Sequence, residues 1–129
     1  MAGIYRPDDP FEVYSAHNRA YTIVLRAETS SSAAPDGAEP DANVTWARVS
    51  NGSYTAVIST GAPLEVLAGI AYVEEIASTS NGYLANFTGY AAATGTVSVE
   101  VFEVSSASGM TLSNVDNQTL VCLLYCRRT

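Results

Sequence analysis

The alternation that decides the fold is clearest in residues 96–104, which read TVSVEVFEV. Val97, Val99 and Val101 fall on one face of an extended chain, because successive side chains of a strand point to opposite sides. β-Branched residues are also enriched in strands. The stretch therefore predicts a β-strand with one continuous apolar face.

The same two-residue period recurs along the rest of the chain, in residues 21–26, 44–49, 54–59, 83–90 and, more weakly, 110–112. Asn51-Gly52 separates two of these runs and predicts a β-hairpin, because both residues tolerate positive φ. About eight strands joined by Gly, Ser and Asn turns predict an all-β fold, either a sandwich or a small barrel. We take it as a single-domain antiparallel β-sandwich, jelly-roll-like.

Residues 119–126, TLVCLLYC, are apolar on both faces. Such a strand lies in the middle of a sheet, or is buried against something beyond its own sheet. Cys122 and Cys126 are the two cysteines of the chain, and in a straight strand they lie about 13 Å apart on one face. That separation is too long for a disulfide, so they are expected to be buried reduced thiols of a protein made in a reducing cytoplasm.

Residues 64–77 fit two patterns. As a helix they would align Leu64, Leu67, Ile70 and Val73 on one face. Gly69 and the strand-rich surroundings favour a bent strand instead. The predicted strand face consists of Leu64, Val66, Ala68, Ile70, Tyr72 and Ile76.

The length of 129 residues fits one domain, divided here into an extended N-terminal arm, residues 1–18, and a β-sandwich, residues 19–129. Pro7 and Pro10 hold the residues before them extended. Residues 29–42, TSSSAAPDGAEPDA, have little hydrophobicity and no periodicity, so they predict a mobile acidic loop.

The chain has 13 acidic and 6 basic residues, a net charge of −7, and its bases are all arginines. This balance is unsuited to nucleic acid or to an acidic membrane surface, since both partners need basic side chains. The first residues lack the apolar run of a secretion signal, and the chain has no run of the roughly 18 apolar residues that a spanning helix needs. We therefore expect a protein that is not secreted and does not bind membranes.

The residues that carry chemistry form no recognisable constellation. His17 is the single histidine, it lies in the arm, and no G-x-S-x-G elbow accompanies it. Cys122 and Cys126 lack the knuckle spacing of a zinc site, and the acidic loop lacks the spacing of a calcium loop. We expect neither an enzyme nor a bound metal or cofactor. The eight tyrosines leave open a carbohydrate- or receptor-binding module of a phage tail or adhesin.

The general layout resembles the head decoration (cement) proteins of tailed bacteriophages, in particular the jelly-roll type on the outer capsid surface. The resemblance lies in the proline-containing arm, the TVSVEVFEV strand, and a Ser/Gly turn before the closing TLVCLLYC strand. It implies a non-enzymatic shell protein of the virion, made in the host cytoplasm. It further implies a homodimer that bridges major capsid subunits and has no contact with nucleic acid.

Apolar side chains predict where such a protein would contact its partners. In the arm, the candidates are Ile4, Tyr5, Phe11 and Tyr14, which would lie on the capsid or on a sister subunit. For self-association, the candidates are the edge near Trp46 and the strand that carries Val97, Val99 and Val101.

Overall fold

Two antiparallel β-sheets face each other across a buried apolar core in the computed structural model, which describes residues 19–29, 36–39, 43–74, 82–107, 109–114 and 118–128. All regular elements in these residues are strands, so the prediction of an all-β sandwich is confirmed. The strands are β1 (Arg19–Glu28), β2 (Asp36–Glu39), β3 (Val44–Ser50), β4 (Ser53–Ile58), β5 (Glu65–Glu74), β6 (Gly82–Ala91), β7 (Thr96–Ser105), β8 (Gly109–Leu112) and β9 (Thr119–Arg128).

The first sheet has the strand order β2-β1-β9-β5, and the second has the order β3-β4-β7-β6 with β8 paired to β7. The chain therefore crosses repeatedly between the sheets instead of completing one before the other. The sandwich is established by this arrangement, whereas the finer assignment as a jelly roll stays a prediction. The predicted arm, residues 1–18, lies outside the described residues.

The strand β9 forms the centre of the first sheet, as its apolar sequence predicts. It pairs along its length with β1 on one side and over most of it with β5 on the other. Its inward side chains are fully buried against the second sheet, where the inward valines of β7 meet them. These inward residues of β9 are Leu120, Cys122, Leu124 and Cys126.

The segment 64–77 contains the strand β5, which confirms the strand interpretation over the helical one. Within the predicted face Val66 packs against the core, but the assignment is wrong beyond it, because the register shifts by one residue between Val66 and Ala68. A β-bulge of this kind reverses which alternate side chains face the core. Beyond it Ala71 is buried, whereas Ile70 and Tyr72 are exposed on the outer face of the sheet. Ile76 lies outside the described residues.

Inside the sandwich, Gly69 of β5 lies directly beneath the aromatic ring of Phe87 on β6. A Cβ atom at Gly69 would lie 2.4 Å from two atoms of that ring. The missing side chain therefore lets the ring approach the β5 backbone, and this contact joins the two sheets beside the bulge.

The acidic segment 29–42 is more ordered at two places than the sequence predicts. Thr29 is buried, and its backbone N–H and side-chain hydroxyl both donate to the carbonyl oxygen of Gln118, at 2.9 and 3.1 Å. Asp36–Glu39 form β2, which pairs antiparallel with the end of β1. The sequence interpretation therefore missed the strand β2, because backbone pairing to β1 needs no apolar side chains, whereas the mobility of the segment stays a prediction. Residues 30–35 and 40–42 lie outside the described residues.

The predicted Asn51-Gly52 hairpin is confirmed, and it is also tied to the segment after β8. Gly52 has φ of 73° and donates its backbone N–H to Asn114 Oδ1 at 2.9 Å. The Asn51 amide donates to the carbonyl oxygen of Leu112 at 3.0 Å and accepts from the backbone N–H of Asn114 at 3.2 Å. These hydrogen bonds join the turn between β3 and β4 to the end of β8.

We expect Gly52→Ala to lower the free energy of unfolding by about 2 to 4 kcal/mol, from left-handed strain and from overpacking together. Its Cβ atom would lie 2.7 Å from the backbone nitrogen of Ser113 and 2.8 Å from the carbonyl oxygen of Val101. Gly61→Ala is the matched control, because Gly61 has φ of 75° but no atom within 4 Å of an added Cβ. We expect that control to lose about 1 to 2 kcal/mol in urea unfolding. Equal losses would contradict the packing role of Gly52.

Candidate functional site

Neither a cluster of metal-binding side chains nor an unpartnered buried polar side chain is present among the described residues. Within the ranges that the structure describes, no group of three or more His, Cys, Asp or Glu side chains is placed to hold a metal ion. In the same ranges every buried side-chain nitrogen and oxygen has a hydrogen-bond partner. His17 lies outside the described residues.

The two cysteines are free thiols on the inward face of β9, as predicted. Burial raises the pKa of the Cys122 thiol to about 12, and it also raises the pKa of Cys126. A thiol held in its neutral form is a poor nucleophile and a poor metal ligand. These side chains therefore act as small apolar groups of the core.

An apolar surface covers the outer side of the first sheet, and we call it the sheet face. Its side chains come from three neighbouring strands and point away from the core. They are Val24 on β1, Leu123 and Tyr125 on β9, and Ile70 and Tyr72 on β5. Val24, Leu123 and Ile70 lie side by side in one row of the pairing. Ile70 is 64% exposed, although it lies in the interior of a ten-residue strand.

An ion pair crosses the sheet face near one end. Arg26 on β1 and Glu74 on β5 are joined at 2.9 Å, although β9 runs between their strands. The pair therefore spans the outer surface of β9, where Val121 occupies the same row as Arg26. This bridge gives a physical reason why Val121 is only 1% exposed on an outward-facing position. At the opposite end, Arg127 on β9 pairs with Glu65 directly across on β5.

The charged side chains of the sheet face lie toward its two ends. One end carries Arg127 and Glu65, which pair with each other, and the other end carries the Arg26–Glu74 pair and the exposed Glu28. The sheet face thus has an apolar middle with an ion pair near each end.

A second apolar surface lies on the outer side of the second sheet, and we call it the β8 patch. In the pairing, Leu84, Phe102 and Leu112 form one row across β6, β7 and β8, and Val104 and Met110 form the next. All of these except the partly buried Phe102 are exposed. Since the two sheets enclose the core, the β8 patch and the sheet face lie on opposite sides of the sandwich.

The predicted self-association residues are corrected by their burial. Trp46 is 6% exposed, and Val97, Val99 and Val101 are at most 1% exposed, because all four point between the sheets. Side chains inside the core are not available to a partner. The predicted arm contacts, Ile4, Tyr5, Phe11 and Tyr14, lie outside the described residues.

The exposed residues that the sequence interpretation missed are mostly apolar side chains at outward positions of strands. One signal for the sheet face was present, because TLVCLLYC has more apolar positions than one buried face requires. The sequence of β5 gives no such signal, because the bulge at Leu67 decides which of its side chains point outward. The β8 patch depends on the pairing of β6, β7 and β8, which alternation alone does not give.

Comparison with known proteins adds no relative: no family model, curated protein or solved structure matches the chain. In the part of the chain that the structure describes, no helix is long and apolar enough to cross a bilayer.

The raised pKa of Cys122 predicts a pH dependence of stability. The folded state holds the thiol proton more tightly than the unfolded chain, whose thiol has a pKa near 9.0. The contribution of this group is therefore complete below pH 9.0 and is lost as the pH rises toward about 12. The loss approaches about 1.4 kcal/mol per pH unit for one thiol.

Cys122→Ala removes this dependence, so its free energy of unfolding should fall less steeply than that of the wild type between about pH 9 and about pH 11. Urea unfolding at a series of pH values measures the difference. Equal slopes for the two proteins would contradict burial of the neutral thiol.

Proposed function

We propose that the chain is a non-enzymatic structural protein that binds the outer surface of a viral capsid and stabilises the shell by bridging major capsid subunits. The observation that supports this most is the pair of apolar surfaces on opposite sides of the sandwich, the sheet face and the β8 patch. A protein that bridges needs two separate contact surfaces. Large exposed apolar patches on a folded domain are typical of protein interaction sites.

The physical basis of stabilisation is selective binding to the assembled shell. A protein that binds the assembled state and not the separate subunits lowers the free energy of that state. Many copies on one shell multiply a small contribution from each. The proposed partner is the major capsid protein, and the proposed location is the outer surface of the virion, after synthesis in the host cytoplasm.

The charge of the chain agrees with a protein partner more than with a nucleic acid. The net charge is −7, and the acidic residues exceed the basic ones by about two to one. A nucleic-acid partner would be repelled by such a chain. Charged residues are only 15% of the total, which leaves much apolar surface for protein contacts.

The mass of the assembly that holds the protein tests the proposed function. Material from the cells that produce the chain is separated on a density gradient, and the chain is located with a specific antibody. We expect it on megadalton particles, in a fixed ratio to the main shell protein. A chain found only as a free small oligomer would contradict the capsid proposal.

Deletion of residues 2–14 should weaken binding to such particles and leave the sandwich folded, because the deletion ends before β1 begins at Arg19. The measurement is the amount of chain bound at increasing concentration, compared with the full-length protein. The control is the urea midpoint, which should change little. A deletion variant that binds particles as tightly as the full chain would remove the arm from the mechanism.

A carbohydrate- or receptor-binding module of a phage tail or adhesin is the second candidate, favoured by Tyr72 and Tyr125. Both lie on the sheet face, where an aromatic ring can stack against a sugar ring. A glycan array distinguishes the two proposals. Binding of a defined glycan that is lost in Tyr72→Ala would favour the module, and the absence of binding above background would exclude it.

A further inference from the structure

Asn51 and Gly52, in the turn between β3 and β4, form a chemically labile pair. In an Asn-Gly sequence the backbone nitrogen of the glycine can attack Cγ of the asparagine, because glycine has no side chain to hinder the approach. The bond from nitrogen to Cγ forms, the bond from Cγ to Nδ2 breaks, and ammonia leaves with the proton of the glycine N–H. Water then opens the succinimide ring to aspartate or isoaspartate, so the reaction needs no enzyme.

Hydrogen bonds hold both reacting groups of this pair, and we call the three of them the turn clamp. The Gly52 N–H donates to Asn114 Oδ1 at 2.9 Å. The Asn51 side-chain amide donates to the carbonyl oxygen of Leu112 at 3.0 Å and accepts from the backbone N–H of Asn114 at 3.2 Å. Attack needs the Gly52 nitrogen to lose its proton and Asn51 Cγ to move against that nitrogen. The turn clamp opposes both changes.

The products of the reaction cannot rebuild the turn clamp. A carboxylate at position 51 has no N–H to donate, and it would hold a negatively charged oxygen against the carbonyl oxygen of Leu112. Isoaspartate carries the chain through its β-carbon, which adds one atom to the backbone and moves Gly52 relative to Asn114. The surroundings of Gly52 leave no room for this movement, since even an added Cβ atom would lie 2.7 Å from the backbone nitrogen of Ser113.

The strand β8 depends on the turn clamp for its attachment to the β3–β4 turn. It has four residues and pairs with β7, and Leu112 at its end accepts the hydrogen bond from Asn51. Short elements with few contacts open at a lower free-energy cost than the core strands. Met110 and Leu112 of the β8 patch lie on this strand, so their placement changes when β8 is released.

We propose that Asn51 is a site of spontaneous deamidation, that opening of the turn clamp sets its rate, and that the product leaves β8 detached from the β3–β4 turn. The reaction is slow while the clamp is closed and proceeds when it opens. Each event is permanent, so the fraction of chains with a detached β8 rises with the age of the protein. This chemistry belongs to the chain itself and is independent of the capsid function.

The rate at Asn51 is measured by peptide mapping with mass spectrometry after incubation of the full chain at mildly alkaline pH. We expect the folded chain to react at least about tenfold more slowly than the chain in guanidinium chloride, because unfolding opens the clamp. Asn114→Ala removes the acceptor of the Gly52 N–H, so it should raise the rate in the folded protein several-fold. Asn114→Asp keeps an oxygen at that position and should keep Asn51 protected.

The second Asn-Gly pair of the sequence, Asn81-Gly82, is an internal reference in every sample. Its rate should be the same in the wild type and in both Asn114 variants, because it makes none of the hydrogen bonds of the turn clamp. The urea midpoint of each variant shows that the fold is retained. The comparison of the folded with the unfolded wild type needs no variant, so it tests protection of Asn51 by itself.

Release of β8 is tested with Asn51→Asp, which represents one product of the reaction. Hydrogen exchange of the backbone amides of residues 109–113 should be at least about tenfold faster than in the wild type. Exchange in residues 53–57 of β4, which pair with β7, should be unchanged and serves as the control.

Three results would overturn the proposal. The first is an equal rate at Asn51 in the folded and the unfolded wild type, which would show that the turn clamp gives no protection. The second is a folded Asn114→Ala variant that deamidates at Asn51 no faster than the wild type or Asn114→Asp. The third is wild-type hydrogen exchange in residues 109–113 of Asn51→Asp, which would show that β8 stays attached after the reaction.

Discussion

The structure depends on the position of β9 between β1 and β5. This strand pairs with β1 on one side and β5 on the other, and residues 120–126 are all apolar. It therefore places apolar side chains on both faces of the first sheet. Its inward residues close the core against the valines of β7. Its outward residues, Leu123 and Tyr125, form the middle of the sheet face. The stretch TLVCLLYC therefore contributes both to the core of the sandwich and to the sheet face.

The alternation of apolar residues was sufficient to predict the sandwich, most of its strands and the hairpin at Asn51-Gly52, because each of these is a local property of the chain. The outward face of β5 was not predictable in the same way. A single extra residue near Leu67 reverses the face, and its position depends on pairing with β9. The strand β2 was missed for a related reason, since DGAE has no strand pattern and is held by pairing with β1.

The candidate contact residues show the same limit more sharply. Val97, Val99 and Val101 were correctly placed on one face of a strand, but that face is the core and not a surface. Alternation predicts which side chains lie on the same face of a strand, but it does not predict what packs against that face. The exposed residues of the sheet face become recognisable only when β1, β9 and β5 are aligned in register. In that alignment Val24, Leu123 and Ile70, which are far apart in sequence, form one row.

The central claim is that the exposed apolar residues of the sheet face and the β8 patch contact a partner. Hydroxyl-radical footprinting of the chain, free and on the particles that hold it, measures this directly by the oxidation rates of individual exposed side chains. We predict that Ile70 and Tyr72 on the sheet face and Met110 in the β8 patch become protected on the particles, whereas Val49, exposed on β3, is oxidised at an unchanged rate. Unchanged oxidation of Ile70, Tyr72 and Met110 on the particles would contradict the claim.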